Sequence, residues 1–260
     1  MHLSPEFTQD SALAAAVGGM GIGTVATIFA QTNKRLLPSA TPDAEVWTGM
    51  AAGAFALVSN PFFALVDDAS FERHSLENLG LVRLGVAGLL VGAGSKMGAG
   101  CTCGNGIQGL ACLSKASFGF VLVFMATGAL AAYLVENDFT PAASTPFSWP
   151  LARAVASVAV AQFFMRTNKK ISNVLGGCGF AASLVLAAMV KPSKIEGFLR
   201  FSAARGWDPS LAFVMGGALL VVGVAWRVLG LVDLAPMRAY AGRPLDAKTL
   251  VGGACFGAGW

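Results

Sequence analysis

Charge is the scarcest commodity in this 260-residue chain. Only 12% of its residues are Asp, Glu, Lys or Arg, while 55% are hydrophobic. A soluble domain carries about 25% charged residues, so a water-solvated globular surface is excluded. The mean hydropathy of +0.65 agrees. Histidine is nearly absent, at His2 and His74, and no Cys-x-x-Cys pair occurs. A tetrahedral zinc site therefore has no ligand set. No base stands beside any cysteine, which argues against an enzyme with a cysteine nucleophile. No metal and no cofactor is expected. The start, MHLSPEFTQDS, lacks the basic segment of a signal peptide, so the first apolar run is expected to stay as a span. The net charge is only +4, and the basic residues sit at span ends rather than on one face, which excludes a nucleic-acid partner.

Five cysteines occur, Cys101, Cys103, Cys112, Cys178 and Cys255, all in apolar or glycine-rich surroundings. None lies in a clear extramembrane loop, so a disulfide framework is not expected. What the chain has in abundance is glycine, 32 residues, as close-packed membrane helices do. The expected fold is an all-α integral membrane protein. It is a polytopic helical bundle with inverted repeats and re-entrant short helices.

Eight apolar segments read as spans: 12–31, 46–66, 79–97, 118–135, 151–165, 174–190, 209–231 and a last one from 249. Pro61 is expected to kink the second. The amphipathic stretch 191–205 opens with Pro192 and reads as a second re-entrant or interfacial helix. Residues 1–138 form a first repeat, 139–150 a joint rich in Pro, Ser and Thr, and 151–260 a second repeat. Val17-Gly18-Gly19-Met20-Gly21 matches Leu175-Gly176-Gly177-Cys178-Gly179 at an offset of 158. Gly88-x-x-x-Gly92-Ala93-Gly94 matches Gly253-x-x-x-Gly257-Ala258-Gly259 at an offset of 165. An odd number of spans between the repeat starts inverts the second half, an arrangement that places transporter sites at the repeat interface. With Lys96 set aside as part of the turn, the Lys and Arg residues divide ten to seven between the two faces, and the richer face is expected to be cytoplasmic. By the second offset the mate of Cys101 falls beyond Trp260, so the second repeat is expected to stop short of its last gate.

The stretch 85–114, GVAGLLVGAGSKMGAGCTCGNGIQGLACLS, organises the chain. Gly88, Gly92 and Gly94 thin one helix wall so that a neighbour can approach. The helix breaks at Gly98-Ala99-Gly100, and a polar, glycine-rich turn follows. Irregular backbone at membrane depth is tolerated only where protein covers it or a cavity lines it. The turn is thus the candidate permeation site, formed by Gly100, Cys101, Thr102, Gly104, Asn105 and Gly106. A neutral thiol at Cys101 is polarisable and binds weakly, as conduction requires. Backbone N–H groups from Gly104 to Gly106 would add attraction for an anion. Asn105 either donates to the anion or caps the re-entrant helix. Cys103 either joins Cys101 in a soft-metal pair or points into protein. Cys178 either lines the pore from the other half or packs. Lys96 and Lys194 either draw anions to the mouth or snorkel to the interface.

The run Gly98-Ala99-Gly100-Cys101-Thr102-Cys103-Gly104-Asn105-Gly106-Ile107-Gln108-Gly109-Leu110, with Leu113-Ser114 and Phe124-Met125-Ala126-Thr127-Gly128, resembles the signature of the YeeE/YedE family of sulfur-transport membrane proteins. Residues 191–199, KPSKIEGFL, and 207–217, WDPSLAFVMGG, resemble the companion protein that many bacteria encode separately. The chain therefore resembles a fusion of the two. The resemblance implies thiosulfate uptake through an hourglass-shaped fold, with the anion passed by weak S–H hydrogen bonds and Cys101 at the family's central cysteine. Asn105 stands where the family usually has histidine, and the family's early and late cysteines have no counterpart here. The expected function is a permease for thiosulfate or a related sulfur-containing anion. The alternatives are a non-transporting membrane scaffold and a soft-metal transporter. The expected partners are the bilayer, the small anion, and either a second copy of the chain or a soluble sulfur-carrier protein. The expected location is an inner or plasma membrane, or an organelle membrane.

Overall fold

The computed structural model describes residues 3–4, 7–34, 44–58, 80–135, 147–200, 206–232 and 240–260. Pro61, the acidic loop 67–78 and most of the 139–150 joint lie outside the described residues. Nine α-helices are described: α1 (Gln9–Asn33), α2 (Ala44–Val58), α3 (Leu81–Met97), α4 (Lys115–Leu134), α5 (Trp149–Phe164), α6 (Lys169–Leu186), α7 (Pro192–Leu199), α8 (Ser210–Gly223) and α9 (Ala247–Gly259). A π-helical segment, Cys103–Gly109, lies between α3 and α4, and a second, Val224–Val228, extends α8. No strand occurs among the described residues.

Because apolar residues run almost continuously, helix ends are set by caps rather than by pattern. Thr8 and Ser11 close a capping box at α1. Ser114, Ser148, Asn168 and Asp246 each accept a first-turn N–H, at α4, α5, α6 and α9. Among the described residues, three helices have the length and composition to cross a membrane: α1, α4 and α8 with its π extension. Leu81, Val82 and Leu89 on α3 and Leu122, Leu130 and Leu134 on α4 are exposed. An apolar outer wall of this kind suits lipid, not water. The protein is an all-α membrane protein.

The close helix contacts obey a two-fold rule. A β-carbon on Gly19 of α1 would run into the Val214 carbonyl of α8, and one on Gly177 of α6 into the Val46 carbonyl of α2. Residues 19 and 177, and 46 and 214, are mates. In α3 and α9 the rule maps a pair onto itself. A β-carbon on Gly94 would lie 2.6 Å from the Gly252 oxygen, and one on Gly259 would lie 2.6 Å from the Ala87 oxygen. These contacts run α3 and α9 antiparallel, so the axis relating them is perpendicular to both.

One expectation about glycine is corrected. Gly94 does receive a neighbouring helix, but a β-carbon on Gly88 or Gly92 would meet nothing within 4 Å. The face of α3 that meets α9 is Ala87, Val91 and Gly94, spaced by three or four residues. Gly88 and Gly92 lie off that stripe.

Candidate functional site

α3 ends at Met97 because the chain turns left-handed at Ala99, with φ 52°. Gly98 must be glycine there, since a β-carbon would enter the Phe120 ring. Gly100 has φ 155° and holds a position that side chains rarely adopt. A β-carbon on it would also press on the Asn105 amide at 3.2 Å and the Tyr240 hydroxyl at 3.3 Å. Cys101 follows at the apex, half-buried against the Phe120, Phe124 and Phe256 cluster. The chain then enters the π-helical segment, a wide turn common at functional positions.

The Cys101 thiol sits at the start of this segment. The Cys103 thiol is within hydrogen-bonding reach of it, as are the backbone N–H groups of Cys103 and Gly104. The hydroxyl of Thr102, the next residue, is buried without a partner among the described residues. Thiol and backbone N–H groups thus gather at the start of the segment, with a hydroxyl on the next residue.

Asn105 is fully buried and is the hub of the turn. Its amide donates to the Gly100 carbonyl at 2.8 Å and the Gly98 carbonyl at 3.2 Å. Its oxygen accepts from Ser117 Oγ at 3.0 Å, Tyr240 OH at 2.8 Å and Arg243 Nη2 at 3.0 Å. Two expectations are corrected here. Asn105 does not cap the re-entrant helix, because it lies inside the π-helical segment. It ties down carbonyls where α3 ends, and both amide hydrogens are spent on them.

The other candidates separate. Of the Gly104 to Gly106 amides, that of Asn105 is taken by the Cys101 carbonyl at 2.9 Å. Gly106 makes room for Met215 of α8. Cys103 and Cys112 pack against the main core. Cys178 does not face the turn; its thiol donates to the Gly49 carbonyl of α2 at 3.2 Å. Lys96 is exposed on the last turn of α3, pointing away from the buried network. Lys194 is buried in an ion pair with Asp208 at 2.8 Å, so it neither snorkels nor draws anions to a mouth. The second Asp208 oxygen accepts from Ser210 N at 2.9 Å. No group of three or more His, Cys, Asp or Glu residues that could hold a metal stands among the described residues.

Tyr240, Arg243 and Ser117 are the residues that sequence reasoning missed. Arg243 Nη1 also donates to the Gly98 carbonyl at 3.2 Å, and its guanidinium lies 3.8 Å over the Tyr240 ring. The available signal was that one of only two tyrosines in the chain stands three residues before an arginine, after a long apolar span. Elsewhere, a cavity of about 570 Å³ opens against Val82, Leu199 and Trp260. It lies at the far end of α3, roughly 25 Å along the helix from the cysteine turn.

Residues 168–260 match a family described as a family of unknown function, DUF6691. A protein of Xylella fastidiosa described as a probable transporter is 54% identical to this chain over 43 residues. That similarity covers 16% of this chain and 32% of the relative, so the chain spans about a third of the relative's length. No solved structure matches.

Proposed function

We propose that this protein is a multi-pass membrane permease for thiosulfate or a related sulfur-containing anion, of the YeeE/YedE kind, with Cys101 as its central contact. The observation that carries the reading is the Cys101 thiol at a helix break, in reach of the backbone N–H groups of Cys103 and Gly104 and followed in the chain by the unpartnered Thr102 hydroxyl. An anion there accepts several weak hydrogen bonds from neutral donors. Each is weaker than a charge-assisted bond, so the solute is held briefly and released, as permeation needs. The similarity to a probable transporter supports transport, and the motif around Cys101 supports the sulfur anion. The inverted contacts of α3 and α9 support a site between two halves.

The test is growth on thiosulfate as sole sulfur source, in a bacterium lacking its own sulfate and thiosulfate uptake. The wild-type chain should restore growth, and Cys101→Ala should abolish it while still reaching the membrane. Growth unchanged in the mutant would falsify the central role of Cys101. One observation favours a soft cation instead: the Cys101 and Cys103 thiols are in mutual reach, and two thiols suit Cu(I). Cys103→Ser separates the two readings, since it should spare anion uptake and end metal uptake.

A further inference from the structure

Arg243 is the cation bonded to the cysteine turn. Among the described residues no carboxylate lies within ion-pair distance of its guanidinium. Its hydrogen bonds go to neutral acceptors, the Gly98 carbonyl at 3.2 Å and the Asn105 oxygen at 3.0 Å. Its Nε is buried and has no partner among the described residues. A part-buried guanidinium with no carboxylate beside it attracts ions of the opposite sign. The Asn105 oxygen is also oversubscribed, with three donors on an atom that has two lone pairs. The three donors therefore compete for it, and Arg243, with several N–H groups, can turn one toward another acceptor.

We infer that Arg243 makes the cysteine turn selective for anions. In the resting turn it is parked on Asn105 and Gly98 and stacked on Tyr240. When an anion reaches Cys101, the guanidinium shares its donors with that anion while keeping its neutral acceptors. The shared acceptors temper its pull, which keeps the site weak enough to release its solute. This inference rests on the reading of Cys101 as the permeation contact, but its test does not depend on thiosulfate being the solute.

The experiment compares Cys101 modification by two thiol reagents of opposite charge in the membrane-embedded full chain. They are the anionic sulfonatoethyl and the cationic trimethylammonioethyl methanethiosulfonates, with adducts at Cys101 read by fragmentation mass spectrometry. Any change in thiol acidity affects both reagents and cancels in their rate ratio. Arg243→Gln should lower the anionic-to-cationic ratio by about tenfold, the size expected for one nearby charge acting with opposite sign on the two reagents. Arg243→Lys should hold the ratio within about threefold, as should Lys248→Gln, which removes an equal charge from an exposed position. A ratio unmoved in Arg243→Gln overturns the inference. So does an equal fall in Arg243→Lys, which would assign the effect to the fit of the guanidinium rather than to charge. Should Arg243→Gln not reach the membrane, the unmodified chain decides. Its ratio should fall severalfold between about 20 and about 500 mM salt, and a flat ratio overturns the inference. A chain that shows the charge effect but takes up no thiosulfate would remove the thiosulfate reading and leave this one standing.

Discussion

The side-chain amide of Asn105 donates to the Gly100 carbonyl at 2.8 Å, closing a loop around Cys101. Asn105→Ala strips two buried carbonyls of a donor and three buried donors of an acceptor. Each group left unsatisfied costs about 1–3 kcal/mol, and rearrangement of Tyr240 and Arg243 recovers part of that. The expected outcome is a lower melting temperature in detergent and faster maleimide labelling of Cys101. Unchanged labelling would show that the network does not confine the thiol.

The glycines of α3 separate by sign. Gly88→Ala adds a methyl where nothing stands within 4 Å, and should stabilise the helix by up to about 1 kcal/mol. Gly94→Ala and Gly259→Ala drive a methyl into backbone of the opposing helix, and should each destabilise by about 1–3 kcal/mol. Thermal melting of the three variants checks this. A Gly94 loss far from the Gly259 loss would contradict the two-fold packing.

The Lys194–Asp208 pair is buried on both sides, with 2% and 5% exposure of the two side chains. Removing one partner leaves an uncompensated charge, at about 3–5 kcal/mol. Lys194→Met alone and Asp208→Leu alone should both lose folded protein. The double variant should recover much of it, because a well-packed apolar pair is often tolerated at such a site. Recovery of folded protein in fluorescence-detected chromatography is the readout. Equal losses in single and double variants would count against the pair as the cause.

Asp246 caps α9 from an exposed position. The Thr249 side chain and backbone hydrogen-bond its carboxylate and hold its pKa below the ordinary value. A depressed carboxylate stabilises the folded chain above its unfolded pKa, and that contribution is lost as pH falls through the folded value. The wild-type chain should therefore shed stability on acidification below about pH 4, and Asp246→Asn should shed less. Parallel acid profiles for the two would remove the cap from the account.

Much of the helical order was legible because apolar runs end in charge. The span expected at 118–135 is α4, Lys115–Leu134, and that at 209–231 is α8 with its π extension. α6 starts at Lys169, five residues before the apolar run at 174, because Asn168 caps a polar first turn. The break at Gly98 was legible from its glycines. The Asn105 network was not, since Tyr240 and Arg243 lie 135 and 138 residues away and no local periodicity links them. Arg243 read as a topology-setting charge, the ordinary role of an arginine after an apolar span. Lys194 read as a surface cation for the same reason, and its counterion stands 14 residues on. The mates Val46-x-x-Gly49 and Val214-x-x-Gly217 were visible, but two residues are too short a signal to separate from chance in so glycine-rich a chain.

The exchange of partners across the two-fold rule ties the order of synthesis to the order of assembly. α1 meets α8, α2 meets α6, and α3 and α4 both meet α9, so each of these first-half helices packs closely on a helix of the second half. The glycine faces of the first half emerge from the ribosome with nothing to pack on. Each stays open until its partner helix is made, and the cysteine turn takes its final shape only when Tyr240 and Arg243 arrive. Arg243 thus arrives 138 residues after Asn105, so a half-built chain holds the Cys101 thiol without the guanidinium that braces the turn around it.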